Sequence, residues 1–455
     1  MKLFPQDNSV VIYETAFEDD DILERSSISK QLSDLVERME DPIVLALDDI
    51  WGSGKTYFLK RWVGAHRKEN KGRAVTVYFD AFESDYLSDP LVSIISAVSE
   101  RIPAEQQSTL EKWKSAATKL AKPSFGIALS LATFGAKQHL DQIGDVIADA
   151  ASSEATDAAK NLWAAEKERK DAVKSFQDLL IQLTKDEDAP IVIVIDELDR
   201  CRPDYALSVL ETIKHFFSVP NVHFILGING TALENSVKAR YGADVDAENY
   251  LRKFISVSFS LPKTIGAGRD ETVVMRYAKQ LISDMKLPGN LSNRCANLLS
   301  YVALENEVSL RDVGKVFSKI ALLPNEATTE NLMPGWTDII CVLILSSVLN
   351  PKLHKKLVLA NSSTNEIRDF LGASNIKTKY KIDGEFNREF DRGLAVWLVL
   401  TVYACGVSKS LEIDDEILQR QWDSMGQYFD RFPSLTEIKK IPAEIQRIWI
   451  DVFRI

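Results

Sequence analysis

Two short stretches hold residues that could do chemistry together. The first is Trp51-Gly-Ser-Gly-Lys-Thr-Tyr57; the second is Ile191-Val-Ile-Val-Ile-Asp-Glu197. In the first, Gly52 and Gly54 free the backbone to turn its N–H groups inward, and a helix opening at Lys55 would aim its dipole at an anion. Lys55 would reach the β- and γ-phosphates of a nucleotide, and the Thr56 hydroxyl would bind Mg²⁺. In the second, Asp196 stands at the tip of a buried strand, where a carboxylate can share that Mg²⁺ beside Thr56. Glu197, next to it, is placed to act as general base on an attacking water. The expected nucleotide-binding residues are therefore Trp51, Gly52, Ser53, Gly54, Lys55, Thr56 and Tyr57, with Thr56 and Asp196 on the metal.

The elements that must position these residues are legible on either side. Ile43 to Leu47 is an uninterrupted apolar run, as in a strand buried on both faces, and Tyr57 to Val63 has helical spacing. Strand, glycine loop, Gly-Lys-Thr and helix is the context that a phosphate-binding P-loop needs. One position departs from the pattern. The first glycine belongs five residues before Gly54, and Asp49 stands there. A carboxylate facing a triphosphate is unfavourable, so Asp49 is expected to point away and pair with a lysine or arginine.

Further strands are expected at Ala74–Phe79, followed by Asp80-Ala-Phe-Glu83, and at Val222 to Ile228. Asn229 at the tip of the latter could sense a γ-phosphate or simply cap the next turn. Arg200, Arg252 and Lys253 are candidates for stabilising charge on a transferring phosphate. Taken singly, each is equally readable as a salt-bridged surface residue.

The chain has 455 residues, 45% hydrophobic and 27% charged, which suits a protein of two or three domains with a sizeable core. Its net charge of −11 argues against a general nucleic-acid or anionic-membrane binder, while leaving room for a local basic patch. Cys201, Cys295, Cys341 and Cys405 lie far apart without metal-type pairing and read as reduced thiols, and the histidines form no ligand cluster. No stretch reaches the roughly 18 apolar residues of a membrane span. Phe125–Ala136, Ile339–Leu349 and Leu394–Val407 come nearest and read as buried core helices. With no signal-peptide pattern at the N-terminus, the expected compartment is the cytoplasm.

Taken with the motifs, Asp21-Ile-Leu-Glu-Arg25, Phe79-Asp-Ala-Phe-Glu83, Asp196-Glu-Leu-Asp-Arg-Cys-Arg-Pro203, Tyr250-Leu-Arg-Lys-Phe-Ile255 and Ser309-Leu-Arg-Asp-Val313 resemble the KAP family of P-loop NTPases over residues 17–325. The resemblance implies an ATPase of the α/β class, with a mostly parallel five-stranded sheet, a helical insertion and an α-helical C-terminal region. The expected organisation is 1–100 and 176–264 for the NTPase domain, 101–175 for the insertion, 265–328 for a helical lid-like subdomain and 329–455 for a C-terminal helical domain. ATP and Mg²⁺ are the implied cofactors, and Arg200, Arg252 and Arg311 the implied arginines bordering the nucleotide. Arg311 is placed like a same-chain sensor and Arg252 like a finger reaching into a neighbouring subunit.

Family members often carry transmembrane helices between the two motifs. The insertion here lacks a span, which points to a soluble branch. Asp49 and Asn229 depart from the family pattern. A homo-oligomer is expected, with protein partners met through the insertion or the C-terminal domain. Prokaryotic members are associated with phage exclusion. The rival reading is a nucleotide-binding scaffold with negligible hydrolysis. A GTPase is disfavoured, because no Asn-Lys-x-Asp motif for guanine is found.

Overall fold

Short apolar runs become the strands of one sheet. β1 (Val44–Asp48), β2 (Val75–Asp80), β3 (Ile191–Asp196), β4 (Val222–Ile228) and β5 (Val257–Phe259) lie in the order β2-β3-β4-β1-β5, every neighbouring pair parallel. The expected five-stranded sheet is the one observed. The computed structural model describes residues 1–5, 10–18, 20–86, 90–101, 107–120, 170–171, 173–185, 189–266, 271–329, 332–372 and 440–453. Most of the expected insertion at 101–175, and the apolar stretches Phe125–Ala136 and Leu394–Val407, lie outside these residues.

Every residue of β3 and β4 is buried, as strands covered on both faces must be. Because side chains alternate across a strand, the sheet feeds two cores. Leu45, Leu47, Val192, Val194 and Ile225 pack with Phe58, Leu59, Trp62 and Val63 of α2 (Lys55–Lys68) and with Leu32 and Val36 of α1 (Ser26–Arg38). Ala46, Ile193, Ile195, Phe224 and Leu226 face the other way. They meet α3 (Pro90–Ser99), α4 (Gln107–Leu120), α5 (Pro203–Phe216) and α6 (Gly230–Tyr241).

Parallel strands all end on one edge. The register sets Asp80 beside Asp196, Asp196 beside Gly227, and Asp48 beside Ile228, so three carboxylates gather where ligands bind such sheets. A short helix, α7 (Ala247–Leu251), precedes β5. Since Val257 is in register with Leu45, near the start of β1, α7 lies toward the opposite edge.

The chain divides into two compact units. The first is Ser9–Asp21 with Arg25–Leu261; the second is Met1–Asn8, Ile22–Glu24 and Pro262–Ile455. In the second, the described residues share one apolar core drawn from α8 (Val273–Met285), α9 (Gly289–Glu305), α10 (Leu310–Ala321), α11 (Pro334–Leu349), α12 (Pro351–Val358) and α13 (Thr364–Phe370). The stretches assigned from sequence to 265–328 and 329–455 therefore meet in a common core. Its axis is α11, buried continuously from Ile339 to Ser346. This explains why its sequence is apolar on all sides: it has no solvent face. Among the described residues, no helix is long and apolar enough to cross a membrane.

Candidate functional site

β1 hands the chain to α2 through a loop that only glycine permits. Gly52 has φ 83° and Gly54 φ 95°, both in the left-handed region, and Gly54 is the N-cap of α2. Lys55 follows, 8% exposed, its Nζ donating to the carbonyl oxygens of Asp49 (2.6 Å) and Ile50 (3.0 Å). Burial lowers its pKa, and the carboxylates of Asp199, Asp49, Asp196 and Asp48 oppose that shift. The Ser53 hydroxyl is buried with no hydrogen-bond partner among the described residues. A loop whose lysine rests on its own carbonyls, beside an unsatisfied hydroxyl, suits a phosphate that would take both.

Asp49 forms no ion pair with a lysine or arginine among the described residues, so the expected pairing is not seen. Its Oδ1 accepts the N–H of Ile50 at 2.8 Å. Neighbouring Asp48 accepts the N–H of Gly230 at 2.7 Å, and a Cβ on Gly230 would come within 2.5 Å of that carboxylate.

Asp196 is 1% exposed. Its Oδ2 accepts the Tyr78 hydroxyl (2.9 Å), its Oδ1 accepts the Glu197 N–H (2.9 Å), and the Thr56 hydroxyl lies close enough to favour its charged form. Burial pushes its pKa up; these three groups pull the other way, and Asp80 adds to the rise. Among the described residues Asp196 forms no ion pair. Its other support, Gly227, was not singled out from the sequence. A Cβ there would sit 2.3 Å from Asp196 Oδ1 and 2.6 Å from a Leu59 methyl, so the glycine makes room for the carboxylate. A lone glycine inside an otherwise bulky strand was the available signal.

Glu197 adopts φ 59°, ψ 25°, a left-handed conformation that a non-glycine residue keeps at a cost of about 1 kcal/mol. Its carboxylate receives the Thr56 hydroxyl at 3.4 Å and an ion pair from Arg200 at 2.9 Å. Burial raises its pKa, Arg200 opposes this, and Asp80 and Asp196 add to it. Trp51 closes the site: its indole N–H donates to Asp199 in the turn after β3, with half of the side chain left exposed. The loop and that turn are thus tied at Thr56 and again at Trp51.

Trp51, Gly52, Ser53, Gly54, Lys55, Thr56, Asp196, Glu197 and Arg200 all converge here. Tyr57 turns its hydroxyl instead to Arg61 (2.6 Å). Asn229 realises the capping alternative, its Oδ1 accepting the Ala232 N–H at 3.1 Å at the start of α6. Arg252 does not join the site of its own chain. It ends α7, toward the far edge of the sheet, in an exposed pair with Glu248 (2.5 Å), because the segment entering a parallel strand starts opposite the strand tips. Arg311 opens α10 in the second unit, and the geometry of the first does not bear on it.

The model of the KAP family P-loop domain matches residues 25–368, well over half the chain. The chain belongs to the KAP family of P-loop NTPases. Within the KAP frame, Lys55 and Thr56 are the P-loop residues and Asp196 the strand-tip carboxylate. No curated protein sequence matches the chain significantly. Among solved structures, the ORC2 protein of Aeropyrum pernix in its ADPNP–ADP complexes is 12% identical. It covers 97% of this chain and 88% of that one, with a TM-score of 0.35. Cdc6p from Pyrobaculum aerophilum is 11% identical over 97% and 88%, with a TM-score of 0.34. At these scores neither says what this KAP protein acts on.

Proposed function

We propose that this chain is a Mg²⁺-dependent ATPase that acts as a nucleotide-driven switch. The observation that carries the reading is the Thr56 hydroxyl, within hydrogen-bond reach of both Asp196 and Glu197 at the mouth of a glycine loop. Thr56 and Asp196 would hold the ion, and the buried Asp196 carboxylate, with the partly buried carboxylates of Asp80 and Glu197 repelling it, suits a divalent cation. Held there, the ion would supply positive charge against the charge that develops in phosphoryl transfer.

The chain's own residues supply the remainder. Lys55 exchanges the carbonyls of Asp49 and Ile50 for phosphate oxygens. Glu197 takes the proton of an attacking water at its carboxylate, for which it must first release Arg200. The freed guanidinium is then available to the transferring phosphate. Because burial raises the Glu197 pKa, the rate should fall as pH drops through a value above the ordinary glutamate range, and recover above it.

Phosphate release by purified protein tests the reading. Lys55→Ala should remove nucleotide binding while leaving the fold intact. Glu197→Gln should keep ATP bound and slow turnover by about 10²–10⁴. One observation favours the alternative of a binding scaffold: in this conformation Glu197 is already held by Arg200. Wild-type turnover no faster than that of Glu197→Gln would select it.

Arg252 serves as a finger only if a second copy presents it, so this reading entails a homo-oligomer. Mixing Lys55→Ala with Arg252→Ala should then restore activity. The family's association with phage exclusion is tested by plaque counts on cells carrying wild-type or Lys55→Ala protein.

A further inference from the structure

The stretch Asp21-Ile-Leu-Glu-Arg25 has no role in the chemistry above, yet its ends are firmly placed. The Asp21 carboxylate accepts the backbone N–H of Arg25 (2.7 Å) and of Ser26 (2.8 Å), fixing the chain where it enters α1. From there the Arg25 side chain runs inward and is 4% exposed. One terminal nitrogen donates to the Ser53 carbonyl at 3.0 Å and the other to the Gly54 carbonyl at 3.4 Å. Its Nε is buried with no hydrogen-bond partner among the described residues. Burial lowers the pKa of this guanidinium to about 10, opposed first by Asp49 and then by Asp21. Burying such a charge is expensive unless its hydrogen bonds and nearby charges offset the cost.

Peptide geometry says why it does. In a trans peptide the N–H points opposite to the C=O. Carbonyls of Ser53 and Gly54 drawn outward onto Arg25 therefore turn the N–H groups of Gly54 and Lys55 toward the inside of the loop. The Gly54 carbonyl also accepts the Phe58 N–H at 2.9 Å, so the same oxygen ties the loop to the first turn of α2. Lysine could not reproduce this, since it presents a point charge rather than a planar fork.

We propose that Arg25 is a positioning residue for the phosphate cradle. It holds two carbonyls on the outer side of the loop, so that the opposed N–H groups face the β-phosphate of a nucleoside di- or triphosphate. It also sets a positive charge near Asp49, which stands where the pattern has glycine. The inference rests on the nucleotide-binding reading of the site and adds to it a residue outside the loop.

Calorimetric titration of ADP and ATP with Mg²⁺ tests it on wild type, Arg25→Lys, Arg25→Met, Asp49→Asn and the Arg25→Met/Asp49→Asn double variant, with thermal melting alongside. Arg25→Lys keeps the charge and should lose about tenfold in affinity, as expected for hydrogen bonds to a charged group. The loss should be equal for ADP and ATP, since both carry the β-phosphate. Arg25→Met should lose more, and Asp49→Asn should recover part of that loss while changing little alone. A residue with only a structural role would lower the melting temperature without this recovery. Both Arg25 variants binding within twofold of wild type, or no recovery in the double variant, would overturn the inference. If Arg25→Met does not fold, an Arg25→Lys protein that folds and binds both nucleotides like wild type overturns it alone. Failure of the underlying reading looks different: wild type would bind neither nucleotide, or Lys55→Ala would bind both.

Discussion

Asp196 and Asp338 are both buried carboxylates set in apolar elements, and they are treated in opposite ways. Asp338, 0% exposed on α11, receives two prongs of the Arg294 guanidinium, the second at 2.6 Å. Asp196, 1% exposed at the tip of β3, is held by neutral donors, a tyrosine hydroxyl and a backbone N–H, with a threonine hydroxyl close by. Burying a carboxylate costs several kcal/mol unless its charge is met. In the helical unit the charge is met inside the chain, and the pair helps to join α9 to α11. At the sheet edge no ion pair among the described residues meets it, which suits the cation proposed above. The difference separates a carboxylate that builds the fold from one that the fold keeps available.

The largest effect should come from breaking the built pair. Arg294→Met strands Asp338 in an apolar core and should cost about 3–5 kcal/mol in denaturant unfolding. Protein that remains folded should bind nucleotide as before. A cost under about 1 kcal/mol would mean that the Asp338 charge is met some other way, and the contrast would weaken.

Gly227→Ala attacks the other carboxylate without touching its charge. The new methyl would overlap Asp196 Oδ1, which must move. Affinity for ATP with Mg²⁺ should fall about tenfold, or roughly 1.4 kcal/mol, with a smaller change for ATP alone. Equal losses in both would place the effect on the loop rather than on Asp196.

The smallest effect should follow Tyr78→Phe, which removes one neutral donor from Asp196. A single such hydrogen bond contributes about 0.5–1.5 kcal/mol, so the Mg²⁺ concentration for half-maximal binding should shift severalfold. The Asp196 pKa should rise further, because a bond favouring the charged form is lost.

What sequence revealed and what it hid follow the same division. The loop and the β3 tip were legible because their chemistry is local: Gly-x-Gly-Lys-Thr after an apolar run, and Asp-Glu after five β-branched residues. The sheet followed from the same uninterrupted apolar runs. That Arg252 lies away from the site of its own chain was not legible, because its place depends on which end of a parallel strand it enters, a property of topology. Tyr78 and Gly227 were missed because each acts on a residue of the neighbouring strand. Arg294 and Asp338 lie 44 positions apart and meet only once α9 packs on α11. Asn229 was correctly offered as a cap, since an asparagine just before a helix commonly fills that role.

The most direct test replaces Asp196 by asparagine, a near-isosteric change that removes the unmet charge. ATP would be titrated with and without Mg²⁺, and unfolding followed against pH. Because burial raises the Asp196 pKa in the folded state, the wild-type carboxylate costs stability as pH rises from the unfolded value toward the raised one. Asp196→Asn should therefore be as stable as wild type in acid and at least as stable near neutrality, while its ATP affinity no longer responds to Mg²⁺. A variant that is less stable near neutrality, yet still gains affinity from Mg²⁺ as wild type does, would show that Asp196 is a building carboxylate like Asp338.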